Sequence, residues 1–162
     1  MENLIHQISP FLPGESRSDT NYTTGQILAT VVSAGTGFTK IFSSNPAVVV
    51  VPGGQTMNSS TEELLESFES LPAEQVVILP NNTNIILAAE QAAKLSKKDV
   101  SIVPTRSIPQ GIAAMLAFDP DESFDKVVEA MIVNSQEVKS GEITTATQST
   151  TWNNLKISKG EI

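Results

Sequence analysis

The chain has 162 residues, and its 18 Asp and Glu residues outnumber its 10 Lys and Arg residues, giving a net charge of −8. The 40% apolar and 17% charged content is typical of one globular domain rather than a disordered acidic tail. The lack of cysteine and the single histidine exclude disulfides, thiol nucleophiles, iron–sulfur clusters and Cys/His zinc sites, and sparse basic residues argue against nucleic acid or an anionic membrane as partner.

Residues 1–25 are predicted to be a linker or the remnant of a preceding domain, because Pro10–Thr24 is rich in Pro, Gly, Ser, Thr and Asp. A Ser-His-Asp triad would have to borrow His6 from this arm, so we interpret His6 as a solvated terminal residue. The first residues lack the cationic flank and apolar run of a signal peptide. No membrane span is predicted, since no apolar run reaches about 18 residues.

Residues 26–162 are predicted to form one α/β domain. Short β-branched runs alternate with amphipathic segments, which is typical of a mostly parallel sheet with helices on both faces. The predicted strands are Gln26–Ser33, Ala47–Val51, Gln75–Leu79 and Val100–Val103. A short amphipathic turn is predicted at Phe38–Ser43, and helices are predicted at Thr61–Ser70, Asn84–Leu95, Ile108–Phe118 and Phe124–Val133.

The last segment has a different pattern. Glu142–Thr151 and Leu155–Ser158 are strand-like and Thr-rich, and they flank Trp152, Asn153 and Asn154. This pattern predicts a β-hairpin or a pair of edge strands. The domain would then stop where another strand would begin, so we expect it to be truncated at its C-terminus; the alternative is a naturally short member of its family.

Three loops follow predicted strands, where doubly wound sheets bind their ligands. The first loop, residues 52–63 (PGGQTMNSSTEE), has paired glycines that permit positive φ and close backbone approach. Ser60 and Glu63 form a capping box for the next helix, and Ser59 with Glu62 is the competing register. Its free N–H groups suit an anion, although a tight turn with a capped helix explains it equally well. Its candidate ligand- or partner-binding residues are Gly53, Gly54, Gln55, Thr56 and Asn58.

The second loop supplies the candidates Asn81, Asn82 and Asn84, which are either turn residues or amide partners for a polar ligand. In the third loop, residues 104–111 (PTRSIPQG), Ser107 and Gln110 form a second capping box. This loop also carries Arg106, which either binds a phosphate or carboxylate or is an ordinary surface arginine. Arg106, Ser107 and Gln110 complete the candidate site.

None of these loops contains a catalytic or metal-binding constellation. The glycine pair is not followed by the lysine of a Walker motif. The carboxylates of residues 119–125 lack the spacing of an EF-hand and are interpreted as a solvated helix start. We predict no catalytic residue, metal ion or cofactor in this chain.

Three motifs in order, residues 53–58 (GGQTMN), 79–85 (LPNNTNI) and 103–111 (VPTRSIPQG), together with 112–119 (IAAMLAFD) and 139–144 (KSGEIT), resemble one family. It is the catalytic-subunit family of bacterial fatty acid kinases, also known as dihydroxyacetone-kinase-like proteins, and the resemblance covers about residues 26–162. One departure is Ser59, where the family usually has proline, which predicts a looser loop.

The resemblance implies that these motifs belong to the C-terminal, DegV/DhaK-like region of a longer kinase. It implies that Mg-ATP binds only to a separate kinase domain, which has no counterpart here, and that a DegV-type fatty-acid-binding protein presents the fatty acid for conversion to an acyl phosphate. It also implies a cytoplasmic protein whose partners are that binding protein and the rest of the kinase subunit. Whether two copies form a homodimer is left open by the sequence.

Two hypotheses remain open at this stage. In the first, the domain is a non-catalytic accessory module that docks or positions the acyl-carrying partner. In the second, the domain binds a fatty acid or another carboxylate itself, with Thr56, Asn58, Asn81 and Ser107 as polar anchors.

Overall fold

The computed structural model describes residues 27–54, 58–141, 143, 145–146, 148–152 and 155–161. Helices and strands alternate through most of this part of the chain, as the sequence predicts. In order, the elements are β1 (Ile27–Ser33), α1 (Thr36–Ser43), β2 (Val48–Pro52), α2 (Thr61–Glu69), β3 (Gln75–Leu79), α3 (Thr83–Leu95), β4 (Asp99–Ile102), α4 (Ile108–Leu116), α5 (Phe124–Gln136), β5 (Thr150–Trp152) and β6 (Leu155–Ile157).

Strands β1 to β4 form one parallel sheet in the order β2-β1-β3-β4. The register places Thr30 of β1 opposite Val49 of β2 and Ile78 of β3. Burial on both faces explains why β1, β2 and β3 are mostly apolar along their whole length, whereas the edge strand β4 alternates polar and apolar residues and is only partly buried. The predicted fold class, an α/β domain with a parallel sheet, is confirmed.

Helices cover both faces of the sheet and create two apolar cores. Helices α1, α4 and α5 pack on one face, where Phe42, Ala114 and Met131 are buried against β1, β2 and β3. Helices α2 and α3 pack on the other face, where Phe68 and Ile85 are fully buried. Alternate side chains of β1, β2 and β3 therefore belong to different cores, which fixes the register of the sheet.

The structure differs from the sequence prediction at several element ends. Helix α1 begins at Thr36, before the predicted Phe38, and α5 continues to Gln136. The antiparallel pair β5–β6 confirms the predicted terminal hairpin, although each strand has only three residues. Asn153 and Asn154 of its predicted turn lie outside the described residues, as does the predicted linker 1–25. No helix in the described part of the chain combines the length and apolarity needed to cross a bilayer.

Side chains of the capping residues decide where two helices start. Ser60 Oγ accepts a hydrogen bond from Glu63 N at 3.1 Å, and Glu63 Oε2 accepts one from Ser60 N at 2.7 Å. This reciprocal pair is the predicted capping box, in the Ser60 register rather than the Ser59 register. Asn82 caps α3, since its Oδ1 accepts from Asn84 N at 2.9 Å.

A carboxylate joins the ends of α2 and α3 at the amino edge of the sheet. Glu69 Oε2 accepts a hydrogen bond from Ser96 Oγ at 2.6 Å, and Glu69 Oε1 accepts one from Lys97 N at 3.1 Å. The hydrogen bond from Ser96 is the main reason why the pKa of Glu69 lies below its ordinary value of 4.5. The ionised form of Glu69 is therefore favoured in the folded protein.

We expect Glu69→Gln to lower the free energy of unfolding at pH 7 by about 0.5–1 kcal/mol, a small value because solvent screens this site. Because the folded pKa is depressed, the contribution of Glu69 is complete above the unfolded pKa and is lost as pH falls through the folded pKa. The difference between the parent chain and the variant should thus shrink below about pH 4.5. Urea unfolding followed by circular dichroism at pH 3 to 7 measures it.

Glu66→Gln is the matched control, because Glu66 lies exposed on the same helix. Its effect on the free energy of unfolding at pH 7 should be small, because an exposed side chain that makes no ion pair contributes little. A Glu69→Gln variant whose deficit did not change with pH would contradict the proposed contribution of Glu69.

Candidate functional site

The site lies at the carboxyl edge of the sheet, where the chain changes direction. The connection from β1 leads to β2 on one side, whereas the connection from β3 leads to β4 on the other side. The loops that leave β1 and β3 therefore diverge and open a crevice between them. Ligands of open α/β sheets bind at such a switch point.

A cleft of about 620 Å³ occupies this crevice. Four strand-end loops contribute to it, and a fifth segment, which follows α5, adds two lining residues. The described residues that line it are Val32, Ala34, Phe38, Gly53, Gly54, Pro80, Asn81, Asn82, Thr83, Asn84, Arg106, Ser107, Ile108, Pro109, Ser140 and Gly141.

The structure brings most of the predicted site residues together. Seven of them line the cleft, and they come from all three loops that the sequence singled out. Asn58 is exposed but does not line the cleft. Gln110 does not line it either, although its Oε1 accepts a hydrogen bond from Arg106 N. Gln55 and Thr56 lie outside the described residues. The seven are Gly53, Gly54, Asn81, Asn82, Asn84, Arg106 and Ser107.

Asn81 connects three elements beneath the cleft. It adopts φ 53°, its Nδ2 donates to the Val32 carbonyl oxygen at 2.9 Å, and its backbone N–H donates to Thr105 Oγ1 at 3.0 Å. Asparagine tolerates this left-handed conformation better than most residues. Because Asn81 is only 7% exposed, its principal role is to join β1, β3 and the loop after β4.

Gly111 of α4 lies against the Asn81 side chain. A Cβ atom placed on Gly111 would come within 2.1 Å of Asn81 Oδ1, which is far inside contact distance. The glycine that ends the third motif therefore permits the close approach of α4 to the second loop. Thr105, Gly111 and the Asn81 contact were not among the predicted site residues, because spacing along the chain does not show which loops touch.

The paired glycines of the first loop serve contact, not unusual dihedral angles. Neither Gly53 nor Gly54 has a positive φ, so that part of the prediction was wrong. A Cβ atom on Gly54 would lie 2.7 Å from Ala34 Cβ, so Gly54 allows the loops after β1 and β2 to approach. Ser59 is buried and its Oγ donates to the Pro52 carbonyl oxygen at 2.9 Å, which restrains the loop that the missing proline was expected to loosen.

We expect Gly54→Ala to reduce the free energy of unfolding by about 1–2 kcal/mol, because the added methyl group must displace the backbone at Ala34. Ala34→Gly in the same chain removes the opposing methyl group and should restore most of the loss. Urea denaturation midpoints of both variants test this coupling. A double variant no more stable than Gly54→Ala would show that the two residues do not compete for space.

The third loop fixes the position of Arg106 through its backbone. Gln110 Oε1 accepts a hydrogen bond from Arg106 N at 2.7 Å, and Ser107 Oγ accepts one from Gln110 N at 3.4 Å. Ser107 is the N-cap, as predicted, but the Gln110 side chain reaches Arg106 and not the N-cap backbone, so only half of the expected capping box forms. The Arg106 side chain is left exposed at the cleft.

Ser140 and Gly141 are lining residues that the sequence argument missed. Before α5 the chain lies at the amino end of β1, where the Pro120 carbonyl oxygen accepts a hydrogen bond from Ile27 N at 3.5 Å. After α5 the chain is at the opposite edge of the sheet, where Ser140 and Gly141 line the cleft. The available signal was the motif 139–144, which has the same Ser and Gly character as the strand-end loops. Ala34 and Phe38, which follow β1, could have been found by the rule that selected the other loops.

The family model for the C-terminal domain of FakA-like fatty acid kinase subunits matches residues 27–162. The chain belongs to this family. The resemblance drawn from the loop motifs is therefore confirmed, and the matched region contains every residue that lines the cleft. The cleft is thus a feature of a FakA-like C-terminal domain.

Similar proteins are considerably longer than this chain. Protein YloV of Bacillus subtilis is 39% identical over 164 residues, which covers 99% of this chain and 30% of YloV. Uncharacterized protein SSP1546 of Staphylococcus saprophyticus is 40% identical over 128 residues, covering 79% of this chain and 23% of that protein. Uncharacterized protein SH1689 of Staphylococcus haemolyticus is 40% identical over 130 residues, covering 80% and 24%. The chain therefore spans less than a third of the length of these relatives.

Proposed function

We propose that this domain is a non-catalytic accessory domain of a fatty acid kinase, and that the cleft at the carboxyl edge is the surface that docks the acyl-carrying partner. The partner would be a DegV-type fatty-acid-binding protein, and Mg-ATP would bind to another part of the kinase subunit. The observation that carries the proposal is the convergence of loops from four strands, with the segment after α5, on one cleft.

The loops are held firmly, which suits a docking surface. Asn81 ties the second loop to β1 and to the third loop, while Gly54 and Ser59 hold the first loop near Ala34 and Pro52. A surface that is organised before binding loses less conformational entropy when a partner binds. The contacts of these described residues therefore support a recognition role.

The chemistry of the cleft also supports binding rather than catalysis. The described lining residues include no carboxylate or histidine that could act as a general base, and their one charged side chain is that of Arg106. We therefore assign phosphoryl transfer to a different part of the longer protein. The homodimer, the cytoplasmic location and the contact with the rest of the kinase subunit remain predictions.

Titration of the chain with a purified DegV-type protein loaded with fatty acid tests the docking role. We expect Asn84→Arg to weaken binding by about tenfold or more, because Asn84 is exposed on the cleft rim and the larger charged side chain would obstruct a partner there. Gln91→Arg is the matched control, since Gln91 is exposed on the same helix, α3, about two turns away.

The control should bind within about twofold of the parent chain, because a surface residue outside an interface contributes little. The docking role fails if the parent chain does not bind the loaded partner. It also fails if Asn84→Arg binds as tightly as Gln91→Arg.

A further inference from the structure

The β5–β6 hairpin is separate from the parallel sheet. Its two strands pair with each other as a sheet of their own. Among the described residues, neither strand packs closely against a helix or against β1 to β4. None of its described side chains belongs to either of the two apolar cores. The hairpin therefore lies outside the packed body of the domain.

One face of the hairpin carries apolar side chains that remain largely exposed. The register places Thr150 opposite Ile157, and Leu155 lies two residues before Ile157, so these three side chains share a face. Leu155 is 66% exposed, Thr150 is exposed and Ile157 is half-buried. Thr151 and Lys156 form the opposite, polar face. The hairpin is thus amphipathic, and the described residues leave its apolar face without a cover.

Polar contacts alone hold the hairpin together beyond its short strands. Ala146 N donates to the Glu161 carbonyl oxygen at 2.7 Å, and Gly160 N donates to the Ala146 carbonyl oxygen at 2.8 Å. Lys159 N donates to Ser149 Oγ at 3.0 Å. A two-stranded hairpin of this kind is marginally stable in water, and it becomes stable when a further strand or a helix covers its apolar face. The hairpin therefore has the hydrogen bonds of a sheet but lacks a core.

The two edges of the hairpin differ in their fitness for a further strand. On β6, Lys156 is charged, and Ser158, which follows it, already donates its N–H to Glu161 Oε2 at 2.5 Å. Charged residues and bonded N–H groups protect an edge against pairing. Strand β5 contains no charged residue and has two threonines, which are common in strands. The edge of β5 is therefore the better place for another strand to pair.

The length of the relatives indicates where that strand comes from. The chain matches a model of a C-terminal domain, yet it covers only 30% of YloV. More than two thirds of a FakA-like subunit therefore lies outside the aligned region. A segment of the same polypeptide is present at a much higher effective concentration than a separate protein or a second copy. It is thus the favoured cover for the hairpin.

We propose that β5–β6 is part of a second sheet, which a strand from the remainder of the kinase subunit completes. The added strand pairs with the edge of β5 and places apolar side chains against Leu155 and Ile157. Because the hairpin follows Gly141, which lines the cleft, this sheet attaches one wall of the cleft to the rest of the subunit. The inference rests on family membership and does not depend on the docking of a partner at the cleft.

Hydrogen–deuterium exchange of the chain and of intact YloV, measured by mass spectrometry of peptides, tests the proposal. In the chain alone, peptides that contain β5 and β6 should exchange within about tenfold of an unstructured peptide, because a marginal hairpin opens readily. The aligned peptides of YloV should exchange at least about 100-fold more slowly. Peptides that contain β1 should be protected in both proteins and serve as the control.

Two results of this experiment would overturn the proposal. One is an aligned YloV segment that exchanges as fast as the hairpin of the chain. The other is a hairpin that is already as protected as β1 in the chain alone. In that case its cover lies within the 162 residues or in a second copy, and loss of protection on dilution would identify the second copy.

Substitution of two strand leucines in the 162-residue chain gives an independent test. Leu79 is fully buried in β3, so Leu79→Ala should lower the thermal midpoint by about 8 °C or more. Leu155→Ala should change the midpoint by less than about 2 °C, because the chain alone leaves that side chain exposed. A decrease for Leu155→Ala as large as that for Leu79→Ala would show that the chain covers the hairpin by itself and would refute the proposal.

Discussion

Gly111→Ala should reduce the free energy of unfolding by about 2–3 kcal/mol, although alanine ordinarily stabilises a helix relative to glycine by about 1 kcal/mol. The sign is reversed because the new methyl group would lie 2.1 Å from Asn81 Oδ1 and 2.7 Å from Asn81 Cγ. Asn81 cannot move aside freely, since its Nδ2 and backbone N–H are both engaged. Thermal and urea unfolding, monitored by circular dichroism, measures the loss.

Gly37→Ala provides the control for Gly111→Ala. Gly37 is also helical, in the first turn of α1, and a Cβ atom there has no neighbour within 4 Å. We expect this variant to be neutral or more stable by a few tenths of a kcal/mol. A Gly111→Ala variant as stable as Gly37→Ala would mean that α4 does not depend on this close contact.

Substitutions of Asn81 should separate backbone strain from hydrogen bonding. Asn81→Gly removes the 2.9 Å hydrogen bond to the Val32 carbonyl oxygen, but glycine adopts the left-handed conformation without strain. It should lower the free energy of unfolding by about 1–3 kcal/mol. Asn81→Ala removes the same hydrogen bond and also forces alanine into a left-handed conformation at φ 53°. Its free energy of unfolding should therefore be about 1–2 kcal/mol lower than that of Asn81→Gly. Chemical denaturation of both variants gives the difference directly.

The two sites should also be strongly coupled. The methyl group of Gly111→Ala would collide with the Asn81 side chain, and Asn81→Gly removes that side chain. The double variant should therefore be more stable than the sum of the single losses predicts, by about 1 kcal/mol or more. If the losses in free energy of unfolding were strictly additive, residues 81 and 111 would act independently, which would contradict a direct contact between them.

Much of the fold was predictable from the sequence because its signals are local. Val48 to Val51 form an uninterrupted β-branched run that is stable only when both faces of the strand are covered. Ser60 and Glu63 mark the start of α2 because their side chains reach backbone groups three residues away. Such interactions depend on spacing along the chain, and spacing can be read directly.

Predictions that depended on distant contacts were less accurate. The sequence suggested that Asn81 was either a turn residue or a partner for a polar ligand. Its φ of 53° fits the turn alternative, but its hydrogen bonds to Val32 and Thr105 were not predicted. The glycine pair was expected to permit positive φ and close approach; neither glycine has a positive φ, but the close approach is confirmed at Gly54, and only the structure shows that Ala34 is the neighbour. In both cases the partner is far away in the chain, so no local pattern reveals it.

The sequence by itself determined that this is an acidic α/β domain with three unusual loops at strand ends, and that it belongs with fatty acid kinase subunits. Only the tertiary structure decided that these loops share one cleft with Phe38 and with Ser140–Gly141. The physical reason is the strand order β2-β1-β3-β4, which separates the loops after β1 and β3 and opens the cleft between them. Strand order depends on how both apolar faces are buried together, and that is a property of the whole chain.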